Sequence, residues 1–304
     1  MTSSCAAGHR RGHLTRQREA LWALLFLAPN MILVLFFSFV PTIGGFALSL
    51  TEWDVISPAR FVGGDNFARL LRDAEFWVAL SNTAAYTLVS VPLCLLISLF
   101  LALALNQRLR GVIAYRTVFF IPVVMSGVLV SMTWRWLYNP DWGPINYALA
   151  SVGVRGPNWL NDVRWALPAI MIVTVWKNAG YYAVIFLAAL QDVPRVLHDA
   201  ARIDGANWWA EVRFVTVPLT SPAIFLSFIM ALIASFQVFD LVYMMTGGGP
   251  GRATSVMVQY IYENAFQYFR MGYASAISVL FFVVIAAMSV LQWQVRRHWV
   301  YGEE

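Results

Sequence analysis

Residue types that commonly do chemistry are few in this chain. The four histidines are His9, His13, His198 and His298, and none of them stands in the pattern of a metal site. The glycine-rich run Gly247–Arg252 lacks a lysine at the position that a phosphate-binding loop requires, so we expect it to form a turn. The sequence therefore predicts no catalytic residue, no metal site and no nucleotide hydrolysis by this chain alone.

Two charged residues, Lys177 and Asp240, fall inside long apolar runs, where a charge is costly and by default functional. Aromatic and amide side chains surround them in the sequence: Trp176, Asn178, Tyr181 and Tyr182 near Lys177, and Phe236 and Gln237 near Asp240. Such residues can line a path for a solute, since aromatic faces stack on sugar rings and amides both donate and accept hydrogen bonds. Lys177 also suits a phosphate-bearing solute. Bonding between neighbouring helices explains the same residues equally well, and the sequence leaves these alternatives open.

The composition is that of a membrane protein. Of 304 residues, 60% are hydrophobic and 12% are charged, whereas about 25% of the residues of soluble domains are charged. The formal net charge of +5 comes from basic residues scattered between apolar blocks, which argues against a nucleic-acid-binding surface. The two cysteines, Cys5 and Cys94, are too few for a disulfide framework.

Six apolar stretches are long enough to cross a bilayer, which takes about 20 residues in a helix. They are Trp22–Leu50, Trp77–Leu105, Ile113–Leu137, Trp165–Leu190, Ser221–Met245 and Ala274–Trp293. Prolines inside them predict kinks, because neighbouring helices can satisfy the freed backbone groups. The first stretch is too long for a signal peptide, so we expect it to remain as a span. The predicted fold is an all-α integral membrane protein with six transmembrane helices.

The loops differ in their content of basic residues. Arginines are more frequent in the N-terminal segment, the second and fourth loops and the tail than in the other three loops. Because cytoplasmic loops carry the excess of Lys and Arg, both termini are expected to be cytoplasmic. The chain thus divides into a cytoplasmic segment 1–20, a six-span domain 21–295 and a cytoplasmic tail 296–304.

The most informative polar segment is residues 192–218, between the fourth and fifth stretches; we call it the 192–218 loop. Asp192, two residues before Pro194, suits the start of a short helix. Asp204 and Gly205 are expected to form a turn, because glycine tolerates positive φ. A second helical stretch is expected to end before the proline that closes the loop. By physics alone, the segment could be an ordinary amphipathic loop at the membrane surface.

The 192–218 loop resembles the EAA loop of ABC-importer permeases. The family pattern is Glu-Ala-Ala, three residues later Gly-Ala, and then an apolar stretch that reaches Leu-Pro. The corresponding residues here run from Asp199-Ala200-Ala201 through Gly205-Ala206 to Phe214, Val217 and Pro218. The one departure from the family pattern is Asp199, a carboxylate one methylene shorter than the usual Glu.

Further segments of the chain are similar to carbohydrate-type permeases, in the class of first subunits for maltose, other oligosaccharides and glycerol 3-phosphate. They are Phe61–Phe67, Trp134–Asn139, Gly143–Asn146 and Thr246–Pro250.

The resemblance implies a permease subunit of an ATP-driven, binding-protein-dependent importer in a bacterial inner membrane, for a sugar, oligosaccharide or glycerol-phosphate-type solute. Its implied partners are a second homologous permease subunit, two ATP-binding subunits, an external solute-binding protein and membrane lipid. ATP and Mg²⁺ would bind the partner ATPase, with no cofactor on this chain. The residues to which the resemblance assigns coupling to the ATPase are His198, Asp199, Ala200, Ala201, Arg202, Asp204, Gly205 and Ala206.

A secondary carrier and a membrane enzyme are the alternatives to an importer subunit. A secondary carrier driven by protons or sodium predicts a buried carboxylate and an internal repeat, and Asp240 alone is thin support for it. A membrane enzyme predicts a catalytic constellation near the membrane, which the sequence does not show. Export is disfavoured because the EAA-type loop belongs to importers.

Overall fold

The computed structural model describes Glu19 and residues 22–107 and 111–299, with side chains up to residue 294. Most of the predicted N-terminal segment 1–20, with Cys5, His9 and His13, lies outside these residues. So do the end of the predicted tail 296–304 and the side chain of His298.

Helices dominate the described chain. In order they are α1 Trp22–Ser49, α2 Asp65–Leu71, α3 Ala74–Leu105, α4 Val112–Val124, α5 Gly127–Leu137, α6 Pro144–Ser151, α7 Ala166–Asp192, α8 Arg195–Ile203, α9 Trp208–Phe236, α10 Asp240–Met245, α11 Met257–Tyr262 and α12 Met271–Trp299. A short antiparallel ladder pairs β1, Thr51–Glu52, with β2, Arg60–Phe61. Five helices, α1, α3, α7, α9 and α12, are long and apolar enough to span a membrane, and the pair α4–α5 makes a sixth span if counted as one.

Two of the predicted spans are broken. The stretch Ile113–Leu137 is not one helix, because Met125 and Ser126 have extended backbones and α4 meets α5 at an angle of 100°. The prediction of one helix over Ser221–Met245 was also wrong. Helix α9 begins at Trp208 and ends at Phe236, and three non-helical residues separate it from α10. Non-helical backbone at membrane depth is tolerated where it is buried in protein or lines a cavity. The break between α9 and α10 meets that condition, because Gln237 and Val238 line a cavity.

The centre of the bundle is the pairing of α3 with α7. The Tyr86 hydroxyl and Thr174 Oγ1 lie 2.8 Å apart, and Ser98 Oγ donates to the Ala179 carbonyl at 2.9 Å. Gly180 on α7 allows α4 to cross closely, because a Cβ there would lie 2.0 Å from the Phe119 carbonyl oxygen. Small residues thus set the approach of these spans, as is common in membrane helix packing.

The bundle has two ends. The hairpin end carries β1, β2, α2 and α6, and the loop end carries the 192–218 loop. At the hairpin end Asp73 caps α3 by accepting a hydrogen bond from the Glu75 N–H at 2.9 Å and from the hydroxyls of Tyr260 and Tyr273. Burial of the Asp73 carboxyl acts to raise its pKa, but the hydrogen bonds from the two tyrosines and from the backbone N–H groups of Glu75 and Phe76 together hold that pKa below its ordinary value.

The glycine-rich run after α10 forms a tight turn at the hairpin end, as predicted. Gly247 and Gly248 both have positive φ. The Asn82 side chain on α3 donates to the carbonyls of Arg252 and Ser255, both at 3.0 Å. The turn is therefore tied to the start of a central span.

Candidate functional site

The turn in the middle of the 192–218 loop ends α8. Gly205 has φ +80°, its N–H donates to the Arg202 carbonyl at 3.1 Å, and the Ala206 N–H donates to the Ala201 carbonyl at 2.9 Å. This pair of bonds with a left-handed glycine is a Schellman motif, which satisfies the last carbonyls of a helix. The predicted turn at Asp204 and Gly205 is therefore confirmed.

Both predicted ends of the loop were wrong. Asp192 is the last residue of α7 rather than a cap, and Pro194, with an extended backbone, precedes α8 without a side-chain cap. The second helix does not stop before Pro218, since α9 continues to Phe236. A π turn at Val212–Thr216 ends two residues before Pro218, and π turns of this kind occur mostly as single-turn bulges inside longer α-helices. The second helix of the loop and the fifth span are consequently one continuous helix.

One face of α8 is joined to α9 by Glu211. His198 Nδ1 lies 2.7 Å from Glu211 Oε1, and Arg202 Nε lies 3.2 Å from Oε2. His198 and Arg202 are four residues apart, so they share one face of α8. The Glu211 side chain is only 12% exposed, which makes this contact more than a solvent-exposed ion pair.

The opposite face of α8 is apolar and exposed. Val196 and Ile203 are 75% and 86% exposed, and Ala200 between them is exposed as well. Their spacing places them along one side of the helix, and we call them the α8 stripe. Asp199, beside the stripe, is also exposed. A helix that shows an apolar side at the tip of a loop presents a surface for another protein.

A second candidate site is a cavity of about 230 Å³ between α3, α7, α9 and α10, which we call the central cavity. Five of the predicted solute-path residues line it: Lys177, Asn178, Tyr182, Gln237 and Asp240. The break between α9 and α10 thus borders a cavity with polar side chains in its wall, where freed backbone groups are tolerated.

The other three predicted solute-path residues lie away from the central cavity. Trp176 points to the surface and contacts Trp134, with ring centres 5.4 Å apart. Tyr181 is on the exposed side of α7. Phe236 is buried against Phe281. Consecutive residues on a helix face different directions, and a run of sequence therefore could not tell which of them line the same cavity.

Lys177 and Asp240 line the same cavity without pairing. The ion pairs among the described side chains include neither residue. Asp240 instead packs on the break in the other span, since a Cβ on Gly127 would lie 1.6 Å from Asp240 Oδ2. The two broken spans therefore meet at Asp240.

Sequence reasoning missed the contribution of α3 to the central cavity. Tyr86, Ser90 and Cys94 line it, together with Thr174 and Ser235 from the neighbouring helices. The signal was present, because Tyr86, Ser90 and Cys94 recur at intervals of four in an apolar run, which gives a helix one polar side. Among the residues that the structure describes, no group of three His, Cys, Asp or Glu side chains could hold a metal ion.

Comparison with known proteins gives a consistent result. Residues 95–299 match the family described as "Binding-protein-dependent transport system inner membrane component". The trehalose/maltose transport system permease protein MalF of Thermococcus litoralis is 35% identical over 285 residues, which cover 93% of this chain and 96% of that protein. The lactose transport system permease protein LacF of Rhizobium radiobacter is 35% identical, over 90% and 93% of the two chains.

A solved structure shares the fold. It is a bacterial alginate ABC transporter in complex with an alginate pentasaccharide-bound periplasmic protein, and a chain in it matches with a TM-score of 0.81 at 24% identity, over 93% of this chain and 96% of that one.

Proposed function

The chain belongs to the family of inner membrane components of binding-protein-dependent transport systems, and we propose that it is the permease subunit of an ATP-driven importer for a sugar, oligosaccharide or glycerol-phosphate-type solute. The observation that carries the proposal is the α8 stripe, an exposed apolar surface at the tip of a loop whose second helix runs into the membrane. Relatives named for trehalose and maltose and for lactose support a carbohydrate as the solute.

We place the loop end in the cytoplasm, since the basic residues concentrate on that side. Two ATP-binding subunits, which hold ATP and Mg²⁺, then face the 192–218 loop, and an external solute-binding protein faces the hairpin end. A second permease subunit and lipid share the lateral surface. In α1, only Ser49 is buried among the described residues, so almost all of that helix is available for such contacts.

Coupling would begin at the α8 stripe. The apolar side of α8 would dock on an ATP-binding subunit, with Asp199 and Gly205 at the edge of the contact. Movement of α8 would reach α9 through Glu211, which binds both His198 and Arg202. Because α9 is continuous from Trp208 to Phe236, a displacement at the loop is carried to the break that borders the central cavity. A packed rigid helix is a physical carrier of this kind of motion.

The solute would pass through the central cavity. Its volume of about 230 Å³ is smaller than the roughly 300–1,000 Å³ of typical ligand pockets, so the spans must separate to admit a sugar. Asn178 and Gln237 would bond hydroxyl groups, while Lys177 and Asp240 offer a cation and an anion. Both charges are unpaired among the described side chains, and each is available to a polar solute.

ATP-dependent uptake tests this proposal. The chain is co-expressed with its partner subunits, purified as a complex, and reconstituted in vesicles with the solute-binding protein and labelled disaccharide. We expect the ATPase to co-purify and uptake to require ATP, with no loss when ionophores collapse proton and sodium gradients. Uptake that follows an ion gradient in the absence of ATP would instead establish a secondary carrier and refute the proposal.

A further inference from the structure

A second cavity, about 500 Å³ in volume, opens on the lateral surface between α3, α9 and α12, and we call it the lateral cavity. Its walls are almost wholly apolar and include Leu95, Leu99, Phe228 and Met288. It is separate from the central cavity, which lies on other faces of α3 and α9. A cavity of this size falls within the usual range of ligand pockets, about 300–1,000 Å³.

One polar side chain interrupts this apolar wall. Gln292 on α12 is 7% exposed, and neither its Nε2 nor its Oε1 has a hydrogen-bond partner among the side chains that the structure describes. An amide buried without partners is costly, and native structures rarely leave one so. Water alone does not resolve it, since a buried water needs two to four polar partners and this wall supplies one.

The depth of Gln292 indicates its partner. Gln292 lies 21 residues along α12 from Met271, which at 1.5 Å per residue is about 32 Å. The hydrocarbon core is about 30 Å thick. With the start of α12 placed at the outer boundary of that core, the amide lies at the opposite boundary. At this depth the ester groups of phospholipids meet their acyl chains. The wall extends from Gln292 towards the membrane centre, because Met288 lies one turn back along α12 and Leu232 lies only four residues before the end of α9 at Phe236. An acyl chain would extend along this wall.

We propose that the lateral cavity binds one acyl chain of a diacyl phospholipid and that the Gln292 amide holds its ester group. The amide N–H donates to the ester carbonyl, and the amide oxygen accepts from the headgroup of phosphatidylethanolamine or phosphatidylglycerol. The orientation proposed above makes this a lipid of the inner leaflet. The site does not depend on which solute is carried.

Native mass spectrometry of the assembled transporter tests this site. The complex is purified from membranes, exchanged into mild detergent, and the bound phospholipid is counted per copy of this chain. Leu99→Trp fills the lateral cavity, and Leu88→Trp makes the same change on α3 at a side chain that is 72% exposed and outside the cavity. Gln292→Leu removes the amide at nearly constant volume.

We expect the wild type and Leu88→Trp to retain one phospholipid, and Leu99→Trp and Gln292→Leu to lower its occupancy at least fivefold while the complex elutes intact. Equal retention by all four proteins would overturn the proposal. So would a photoreactive side chain at position 99 that attaches to the second permease subunit instead of to lipid, because a protein helix would then occupy the cavity.

Discussion

His198 Nδ1 and Glu211 Oε1 lie 2.7 Å apart, so a side-chain contact joins the two helices of the 192–218 loop in addition to the turn at Gly205. Arg202 binds the second oxygen of the same carboxylate at 3.2 Å. Since Glu211 belongs to the helix that continues into the membrane, the contact ties the exposed α8 stripe to the fifth span.

Glu211→Gln is expected to loosen α8. A hydrogen bond to a charged group contributes about 1.5–3 kcal/mol to stability. The bond from the solvent-exposed Arg202 contributes less than the bond from His198, because water screens it. We expect a loss of about 1.4 kcal/mol, which is tenfold in the opening equilibrium of the loop. Hydrogen exchange in residues 195–203 measures it. Asp192→Asn, which removes an exposed carboxylate without an ion pair among the described side chains, serves as the control. Equal exchange in the two variants would show that Glu211 does not hold the helices together.

Substitution by alanine should lower the stability at Gly180 and raise it slightly at Gly44. Gly180→Ala places a Cβ 2.0 Å from the Phe119 carbonyl, whereas Gly44→Ala meets nothing within 4 Å. Overpacking costs about 1–3 kcal/mol, while replacing a helical glycine by alanine in open space gains up to about 1 kcal/mol. Thermal unfolding of the purified complex should show a lower Tm for Gly180→Ala alone. A Tm unchanged by that substitution would contradict the close crossing of α4 and α7.

Low pH should reduce the contribution of Asp73 to the stability of the hairpin end, because its carboxylate becomes protonated. Burial acts to raise its pKa, but the hydrogen bonds from Tyr260, Tyr273 and two backbone N–H groups together hold that pKa below its ordinary value of 3.8 in the folded protein. A lowered folded pKa adds stability that is complete above 3.8 and is lost as the pH falls towards the folded value. The Tm difference between wild type and Asp73→Asn should therefore be constant at pH 5–7 and shrink below about pH 4. A difference that grows in acid would have the wrong sign for this carboxylate.

Substitution of two adjacent tyrosines, Tyr181 and Tyr182, distinguishes a residue that contacts the solute from one that only packs in the bundle. Tyr182 lines the central cavity and Tyr181 does not, so Tyr182→Phe removes a hydroxyl that a solute could bond and Tyr181→Phe does not. One hydrogen bond contributes about 0.5–1.5 kcal/mol, which corresponds to a severalfold change in binding. We expect KM for ATP-driven uptake to rise severalfold in Tyr182→Phe alone. Matching KM values for the two variants would remove the central cavity from the solute path.

The sequence alone predicted the spans and the loop turn, because both rest on local signals. Hydropathy marks any stretch that must face lipid, and Asp204-Gly205 is a turn whatever surrounds it. The helix breaks at Met125 and Gln237 depend on contacts across the bundle, such as that of Gly127 with Asp240. The sequence around Gln237 contains no local pattern that predicts a break. The local sequence predicts a cap at Asp192, but α7 extends two residues beyond the predicted end at Leu190 and incorporates it.

The central cavity was predicted in part for a related reason. Lys177, Asn178 and Tyr182 on α7 line the central cavity, and Trp176 and Tyr181 do not. The rotation of each span about its axis decides which side faces inward, and that rotation follows from packing against neighbours rather than from the span's own residues. The stripe of Tyr86, Ser90 and Cys94 could have fixed the rotation of α3 in advance.

ATP-dependent uptake by an Ala200→Asp complex is the most direct test of the proposed coupling at the α8 stripe. The substitution adds a charge to the exposed stripe without touching the Glu211 contact, and Gln107→Asp adds the same charge to an exposed residue at the loop end, outside the 192–218 loop. In vesicles with the partner subunits, uptake by Ala200→Asp should fall at least tenfold and uptake by Gln107→Asp should stay near the wild-type rate. Normal uptake by Ala200→Asp with normal ATPase co-purification would contradict the coupling role of the stripe.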